Sequence, residues 1–280
     1  MIKSVQADLF AVIGNPVKHS LSPVMMNAAF KSLGIPAVYL ALHVDVLPED
    51  LKTLSRMGFK GLSVTLPHKE TAYRLTRGVD ETAQAIGAVN TLRWSGEGWE
   101  GCNTDWLGSN RALEQVIQLR GKRALVIGAG GAARAVVYGL GREGAKVTVS
   151  NRTTERGQAL ADSFKCNFIP LPELNDPLHG KSFDIVVQCT SVGLANRESS
   201  PLLSEFFFHR GMVVMDTVYR PARTPFVQAA EKAHCVVVPG SDMLLYQGVA
   251  QLEWWLGEPV PRTTGIRVMK DALMRALAHE

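Results

Sequence analysis

The sequence is poor in the features that mark secreted, metal-binding or membrane proteins. Its four cysteines form no C-x-x-C pair, and three lie in or beside apolar, strand-like stretches. We therefore expect buried free thiols, no metal site and a reducing compartment. No apolar run approaches the roughly 18 residues of a membrane span, and the N-terminal apolar stretch is too short for a signal peptide. These absences predict a cytoplasmic protein without a membrane partner.

The sequence also lacks a large excess of either positive or negative charge. The 280 residues carry a net charge of +4, without a run of basic residues interleaved with aromatics, which argues against a nucleic-acid partner. A mild positive excess instead suits a small-molecule anionic substrate and an anionic cofactor. The length suits two domains better than one. Nothing in the pattern selects between a monomer and a homodimer.

Strand and helix patterns alternate along the first hundred residues. Strands are predicted at 8–14, 37–44 and 59–67, helices at 22–34, 47–58 and 68–76, and a hairpin around 95–98. In the first helix, Ser22 is predicted as the N-cap, Pro23 as the first helical residue and Gly34 as the C-terminal stop. This order predicts an α/β unit of the βαβαβ type with extra strands.

A second unit is predicted to begin near residue 106. After a helix and the run "RALVIGAGGAARA", strands are expected at 145–150, 165–169, 183–189, 212–217 and 235–240, with helices at 154–163 and 224–234. This order is typical of a Rossmann-type doubly wound domain. The helical last forty residues are expected to pack on the first domain, because no strands remain for a third. We predict a two-domain α/β protein, with an N-terminal α/β substrate domain (1–105 and 242–280), a nucleotide domain (106–241) and a cleft between them.

A glycine turn opens the nucleotide domain. Gly128, Gly130 and Ala133 fit G-x-G-x-x-A between a predicted strand and a predicted helix. The first glycine allows a tight turn, the second lets backbone approach a pyrophosphate, and the small third residue lets helix and strand pack closely. The N–H groups at the helix start then face the phosphate. The pattern predicts dinucleotide binding; the alternative is a tight structural turn.

The next strand is not followed by the acid that commonly holds the ribose hydroxyls in such sites. Asn151 and Arg152 stand in its place, with Arg156 just behind. A carboxylate would repel a 2′-phosphate, whereas arginines attract it through charge-assisted hydrogen bonds of about 1.5–3 kcal/mol each. The hydroxyls of Thr153 and Thr154 can add neutral bonds. The pattern predicts NADP as the cofactor; the alternative is a solvated helix start.

A lysine that follows the end of a predicted strand is the first candidate for a catalytic residue. Lys69 falls in the first turn of a predicted helix, after Thr65 at the end of a strand. It lies on the unfavourable side of the helix dipole, where lysines can serve to exchange a proton near neutral pH; a surface lysine is the simpler interpretation. Asp105 can hold this lysine and bind a hydroxyl, or can cap the helix that follows it.

Other polar residues interrupt apolar or helix-starting segments. Ser20 and Ser22 precede a helix N-terminus, where they can hold a carboxylate or serve only as caps. Asn90 and Gln247 lie in otherwise apolar segments. Each is a candidate ligand for a substrate hydroxyl, or else a buried amide whose hydrogen bonds are satisfied within the protein.

Together these motifs resemble those of the shikimate dehydrogenases. The stretches "GNPVKHSLSP", "GLSVTLPHK", "GAVNTL", "GCNTDWLG", "GAGGAARAV", "NRTTER" and "MLLYQG" occur in that family's order. The resemblance implies reversible NADPH-dependent reduction of 3-dehydroshikimate to shikimate in aromatic amino acid biosynthesis, with Lys69 as the catalytic acid–base and Asp105 as its partner. The implied substrate ligands are Ser20, Ser22, Thr65, Asn90, Asp105, Tyr219 and Gln247. The implied cofactor positions are Gly128, Ala129, Gly130, Gly131, Ala132, Asn151, Arg152, Thr153, Arg156, Thr217 and Gly240.

Three alternatives stay open at this point. A quinate/shikimate dehydrogenase that uses NAD is disfavoured by the arginines and by Ser22, which offers no extra methyl group to the bulkier quinate. A non-catalytic NADP-binding protein of the same fold is disfavoured by the presence of both Lys69 and Asp105. A dehydrogenase of similar architecture that acts on a different small acid is the third alternative.

Overall fold

The computed structural model describes residues 7–175, 177–194 and 202–278. Backbone contacts divide the chain into two compact units: unit 1 comprises Met1–Thr104 and Gln247–Glu280, and unit 2 comprises Asp105–Tyr246. Within the described ranges, no helix combines the length and apolarity that crossing a bilayer requires. All four cysteines are free thiols.

Unit 1 is built on a mixed sheet, which has six strands in the described residues. They are β1 (Asp8–Gly14), β2 (Ala37–His43), β3 (Phe59–Val64), β4 (Gly78–Val79), β5 (Thr91–Trp94) and β6 (Trp99–Cys102), in the spatial order β2-β1-β3-β5-β6-β4. The strand β1 pairs in parallel with β2 and β3, whereas β5 pairs antiparallel with β3 and β6. The helices are α1 (Ser22–Leu33), α2 (Leu47–Arg56), α3 (Lys69–Leu75) and α4 (Glu81–Ile86).

The start of α1 differs from the prediction. The helix ends as expected before Gly34, whose φ of 68° lies in the left-handed region that favours glycine. The prediction that Ser22 is the N-cap is wrong, because Ser22 is itself the first helical residue and Pro23 the second. The hydroxyl of Ser20 accepts the Ser22 N–H at 3.3 Å, so the side chain that serves this helix start lies two residues further upstream.

Unit 2 is a doubly wound parallel sheet. Its strands are β7 (Arg123–Ile127), β8 (Lys146–Asn151), β9 (Asn167–Pro170), β10 (Ile185–Gln188), β11 (Val213–Asp216) and β12 (Val236–Val238), in the order β12-β11-β10-β7-β8-β9. Counted from its own first strand, this is the 3-2-1-4-5-6 order of the Rossmann fold, with the switch point between β7 and β10. The helices are α5 (Asp105–Leu113), α6 (Gly131–Arg142), α7 (Thr154–Phe164), α8 (Pro177–Gly180) and α9 (Pro225–Lys232). The predicted α/β fold class with a Rossmann-type unit is confirmed.

Apolar layers cover both faces of the sheet in unit 2. Val126, Val149 and Val187 belong to one buried cluster, and Leu125 and Val186 belong to another. Alternate residues of the same strands thus enter different cores, which is why these strands are near-continuous apolar runs in the sequence. Unit 1 has its own core beneath α2, where Leu51 and Leu54 join β1 and β3 residues.

The last helices are α10 (Gly240–Leu256) and α11 (Arg267–Ala278), the latter preceded by a π-helical turn at Arg262–Ile266. α11 packs against α1. The boundary between the units falls inside α10, after Tyr246, whereas the sequence predicted it after residue 241. Met243 and Tyr246 pack with the core of unit 2. The helix therefore begins in unit 2 and continues into unit 1, and its sequence gives no sign of the boundary.

Candidate active site

The segment that follows β3 carries Thr65 and Lys69, and hydrogen bonds hold it at both ends. The Val64 N–H donates to the Asn90 carbonyl at 2.7 Å, and the Val89 N–H donates to the Lys69 carbonyl at 3.0 Å. Lys69 is the first residue of α3 and is half-buried. Thr65, Lys69 and Asn90, which were selected from separate motifs, therefore lie in one hydrogen-bonded part of unit 1.

The side chain of Asn90 is the centre of a buried polar cluster. Its Oδ1 accepts the Thr104 N–H at 2.8 Å and the Thr91 hydroxyl at 2.7 Å. Its Nδ2 donates to the Thr104 hydroxyl at 3.0 Å and to Gln247 Oε1 at 3.4 Å. Asn90 is 1% exposed and Gln247 8%. The structure thus brings together two candidates that are 157 residues apart.

A second chain of hydrogen bonds supports Asn90 from behind. Gln251 donates to the Asn90 carbonyl at 3.3 Å and accepts the Ser63 hydroxyl at 2.7 Å, and Ser63 in turn accepts the Tyr39 hydroxyl at 2.5 Å. All of these side chains are buried. Sequence reasoning missed them, although one signal was present: Gln251 follows Gln247 by four positions and so lies on the same face of α10.

The loop after β1 carries the two candidate serines. It begins beside the Thr65 segment, because the Asn15 N–H donates to the Leu66 carbonyl at 2.9 Å. Ser22 is buried and Ser20 is half-buried. The loop therefore leaves the sheet at the carboxyl ends of β1 and β3, the edge that also carries the start of α3.

Asp105 begins α5 and is 4% exposed. It directly follows Thr104, which is bonded to the Asn90 side chain through both its N–H and its hydroxyl. As the first helical residue, Asp105 lies inside the helix rather than at the cap position that the sequence left as an alternative. A carboxylate in the first turn interacts favourably with the helix dipole.

The glycine turn of unit 2 has the geometry that a pyrophosphate requires. Gly128 has a φ of 123°, and a Cβ there would lie 3.2 Å from the Cys189 backbone. A Cβ on Gly130 would meet nothing within 4 Å, so the N-terminus of the twelve-residue helix α6 faces open space. Ala133 is fully buried beneath it. The open space and the helix N–H groups fit the pyrophosphate of a dinucleotide.

The arginines after β8 lie at the start of α7. Arg152 precedes the N-cap residue Thr153, and Arg156 lies in the first turn; both arginines are exposed. In the part of the chain that the structure describes, neither guanidinium has an ion pair. The Asn151 amide donates to the Thr153 carbonyl at 2.8 Å, which fixes the turn that carries Arg152. The arrangement fits the recognition of a phosphate group.

The remaining candidates lie after the next strands of unit 2. Thr217 follows β11, and its N–H donates to the Gln188 carbonyl at 2.9 Å at the end of β10. Tyr219 is half-buried two residues later. Gly240 is the first residue of α10 and is buried. In a doubly wound sheet, ligands bind at this carboxyl edge.

A Rossmann-type unit with an open glycine turn, joined to a second α/β unit with a buried polar cluster, defines a two-domain nucleotide-binding protein. Family models match it in three stretches: the shikimate dehydrogenase substrate binding domain (12–92), shikimate/quinate 5-dehydrogenase (110–198) and the shikimate 5′-dehydrogenase C-terminal domain (240–274). The chain is 61% identical to shikimate dehydrogenase (NADP(+)) of Syntrophobacter fumaroxidans, over 100% of this chain and 98% of that protein.

Other similar proteins belong to the same family. The chain is 41% identical to shikimate dehydrogenase (NADP(+)) of Methanopyrus kandleri, over 97% of both chains. The solved shikimate 5-dehydrogenase of Thermus thermophilus, described in complex with NADP(H) and shikimate, superposes with a TM-score of 0.86 at 38% identity, over 96% of this chain and 100% of that one. This chain belongs to the shikimate dehydrogenase family.

Proposed function

We propose that this protein is an NADP-dependent oxidoreductase that interconverts 3-dehydroshikimate and shikimate, a reaction of aromatic amino acid biosynthesis. The observation that carries the proposal is the full-length similarity to the relative from Syntrophobacter fumaroxidans. Two structural features, the open glycine turn and the exposed arginines after β8, also support NADP as the cofactor.

Unit 2 holds the cofactor in this proposal. The backbone of Gly128–Ala132 binds the pyrophosphate, and Arg152 and Arg156 bind the 2′-phosphate. Thr217 and Gly240 border the nicotinamide end. Bound NADPH supplies the hydride for reduction of the ketone.

Polar side chains orient the substrate. Ser20 and Ser22 hold its carboxylate with Tyr219 nearby, while ring hydroxyls bind to side chains of the Asn90 cluster and their neighbours. The residues assigned to the ring hydroxyls are Thr65, Asn90, Asp105 and Gln247. The hydrogen bonds behind Asn90 support this assignment, because a ligand whose own rotamer is fixed loses less entropy on binding.

Lys69 carries the proton. During reduction, negative charge builds on the ketone oxygen, and the Lys69 ammonium donates a proton to that atom; during oxidation, Lys69 accepts the proton from the hydroxyl. Asp105 keeps the amine oriented. The half-buried position of Lys69 at the start of α3, next to the Asn90 segment, supports this role.

A substrate and cofactor screen on the purified protein tests the proposal. We expect shikimate to be oxidised with NADP and 3-dehydroshikimate to be reduced with NADPH, followed through NADPH absorbance. Efficient oxidation of quinate with NAD would instead support a quinate/shikimate dehydrogenase. NADPH binding without turnover of any tested acid would support a non-catalytic binding protein.

The proposal also covers the cellular location, the kind of partner and the oligomeric state. The four free thiols support a cytoplasmic location, and the low net charge supports a small molecule rather than nucleic acid as partner. Analytical ultracentrifugation of the full chain distinguishes the monomer from the homodimer.

A further inference from the structure

We propose that Asp216 is a positioning residue for the cofactor: its buried carboxylate ties together three backbone segments at the carboxyl edge of unit 2. Asp216 is the last residue of β11 and is 1% exposed. The inference rests on the proposed function, because it assumes that this edge receives NADP.

The first segment is the loop after β10. Asp216 Oδ1 accepts a hydrogen bond from Gln188 Nε2 at 3.1 Å, and the same nitrogen donates to the Val192 carbonyl at 3.1 Å. Gln188 Oε1 accepts the Thr190 N–H. The Gln188 amide is fully buried, so the carboxylate fixes an amide that in turn fixes the backbone at two points of the loop.

The second segment follows β11, and the third is the start of α9. The Val218 N–H donates to Asp216 Oδ1 at 2.9 Å, which fixes the turn that carries Thr217. The Thr224 hydroxyl donates to Asp216 Oδ2 at 2.6 Å and accepts the Val227 N–H at 3.2 Å as the N-cap of α9. One carboxylate thus receives hydrogen bonds from an amide, a backbone N–H and a hydroxyl.

These segments adjoin the predicted cofactor positions. A Cβ on Gly240 would collide with the Asp216 carbonyl oxygen, so the start of α10 packs directly against the Asp216 backbone. A Cβ on Gly128 would lie 3.2 Å from the Cys189 backbone, at the start of the loop that Gln188 holds. A shift of the Asp216 carboxylate would therefore move the backbone that adjoins Gly128 and carries Thr217, while Gly240 packs against the Asp216 backbone itself.

A carboxylate suits this position better than an amide. Three donors converge on its two oxygens, and an ionised carboxylate accepts all of them because it has no donor of its own. In Asp216→Asn, one oxygen becomes an NH₂ group with nearly the same shape. That group faces either the Thr224 hydroxyl, which then has to accept instead of donate, or the Gln188 and Val218 donors, which lose their acceptor. In both orientations the negative charge that strengthens the three bonds is gone, so the three segments are held less firmly.

An NADPH titration of the full-length protein tests the inference. We expect Asp216→Asn to raise the Kd for NADPH roughly tenfold, since loops aligned by hydrogen bonds to a charged group lose their register. The KM for shikimate should change less than the Kd for NADPH, because only Tyr219 among the residues assigned to the substrate directly follows the turn that Asp216 holds. Thr224→Val, which removes one donor, should raise the Kd less, and Thr224→Ser, which keeps the hydroxyl, should retain the wild-type Kd.

Asp184→Asn is the matched control, because Asp184 precedes β10 at the opposite edge of the same sheet and makes its own hydrogen bonds to Arg123. This variant should change stability and leave the Kd for NADPH unchanged. If Asp216→Asn likewise changes only stability, the inference is wrong. If Asp216→Asn does not fold, equal NADPH affinities of Thr224→Val and Thr224→Ser would overturn it. A wild type that binds NADPH and does not oxidise shikimate contradicts the proposed function alone.

Discussion

At the scale of single residues, the charge after β8 decides which cofactor fits. A carboxylate at this position would accept hydrogen bonds from ribose hydroxyls, whereas Arg152 offers donors to a phosphate. The side chain is exposed and has no ion pair within the described part of the chain. Its donors are therefore available without breaking an existing contact.

We expect Arg152→Ala to weaken NADPH binding by about 1.5–3 kcal/mol, the value of a charge-assisted hydrogen bond. NADH binding should hardly change, because NADH has no 2′-phosphate. Fluorescence titration with both cofactors measures the difference, and Arg120→Ala, which removes another exposed arginine of unit 2, is the control. Equal weakening of both cofactors would mean that Arg152 does not contact the 2′-phosphate.

The proton assigned to Lys69 gives a second residue-scale prediction. Lys69→Met keeps most of the stem and removes the ammonium, so kcat should fall by about 10²–10⁴-fold with little change in KM. Lys60→Met, which replaces an exposed lysine of β3, should retain wild-type turnover. Near-normal turnover of Lys69→Met would remove the lysine from the chemistry.

Single residues also mark the limit of prediction from sequence. Lys69 and Asn90 could be selected because each stands out from its local pattern. Ser63 and Gln251 could not be joined in the same way, since they form a hydrogen bond across 188 residues of sequence. Asp216 was missed because an acid at a strand end is most simply a solvated residue, and only the fold buries it among Gln188 and Thr224.

At the scale of elements, the sheet of unit 2 carries two aspartates whose pKa values shift in opposite directions. Asp184 lies at the amino ends of the strands and Asp216 at their carboxyl ends. Hydrogen bonds from Arg123 are the main cause that lowers the pKa of Asp184 to about 2. Burial is the main cause that raises the pKa of Asp216 to about 6. One carboxylate is therefore more easily ionised in the folded state than in the unfolded chain, and the other less easily.

For Asp184, the stabilising effect of the ionised carboxylate is present above about pH 4 and is lost as pH falls toward 2. We expect Asp184→Asn to lower the free energy of unfolding at neutral pH by about 1–2 kcal/mol, reduced from the full linkage value because the pair is partly exposed. The deficit should vanish in acid. Denaturant unfolding over a pH series measures it, and a deficit that persists at low pH would contradict the ion-pair explanation.

For Asp216 the sign is reversed. Because the pKa is raised in the folded state, the contribution of the protonated Asp216 carboxyl to the free energy of unfolding is complete below about pH 4. This contribution is lost as the pH rises through 6. The stability of the wild type relative to Asp216→Asn should therefore fall by about 2–3 kcal/mol between those limits. Paired denaturant titrations of the two proteins across this range measure the difference. A pH-independent difference would show that the carboxylate ionises as readily in the fold as in the unfolded chain.

Elements were more predictable than their ends. Long apolar strands and the glycine turn identified the Rossmann-type unit, because strands buried on both faces leave a plain signal. The two-residue strand β4 was missed, since two residues show no periodicity. The N-cap of α1 was misplaced because serine is a common cap residue, whereas the backbone places the cap at Leu21, whose side chain makes no capping bond. The hydroxyl of Ser20, one residue earlier, accepts the Ser22 N–H instead.

At the scale of the whole molecule, the two units differ in how the chain builds them. Unit 2 is one continuous segment, whereas unit 1 needs residues from both ends of the sequence. The returning segment contributes packing to unit 1: the Trp255 ring lies 5.0 Å from that of Phe10, and its Nε1 donates to the Leu92 carbonyl at 3.0 Å. A Cβ on Gly61 would collide with the same indole.

This asymmetry predicts different fates for two fragments. Residues 105–246 contain every strand of the Rossmann-type sheet, so the fragment should unfold cooperatively on its own, and NADPH should raise its Tm because ligand binds only the folded state. Residues 1–246 lack the Trp255 contacts and α11, so unit 1 should be unfolded there while the NADPH-dependent transition of unit 2 remains. Calorimetry with and without NADPH measures both fragments. A 105–246 fragment that folds and is not stabilised by NADPH would show that residues of unit 1 are required to bind the cofactor, and a second cooperative transition in 1–246 would show that α11 is dispensable for unit 1.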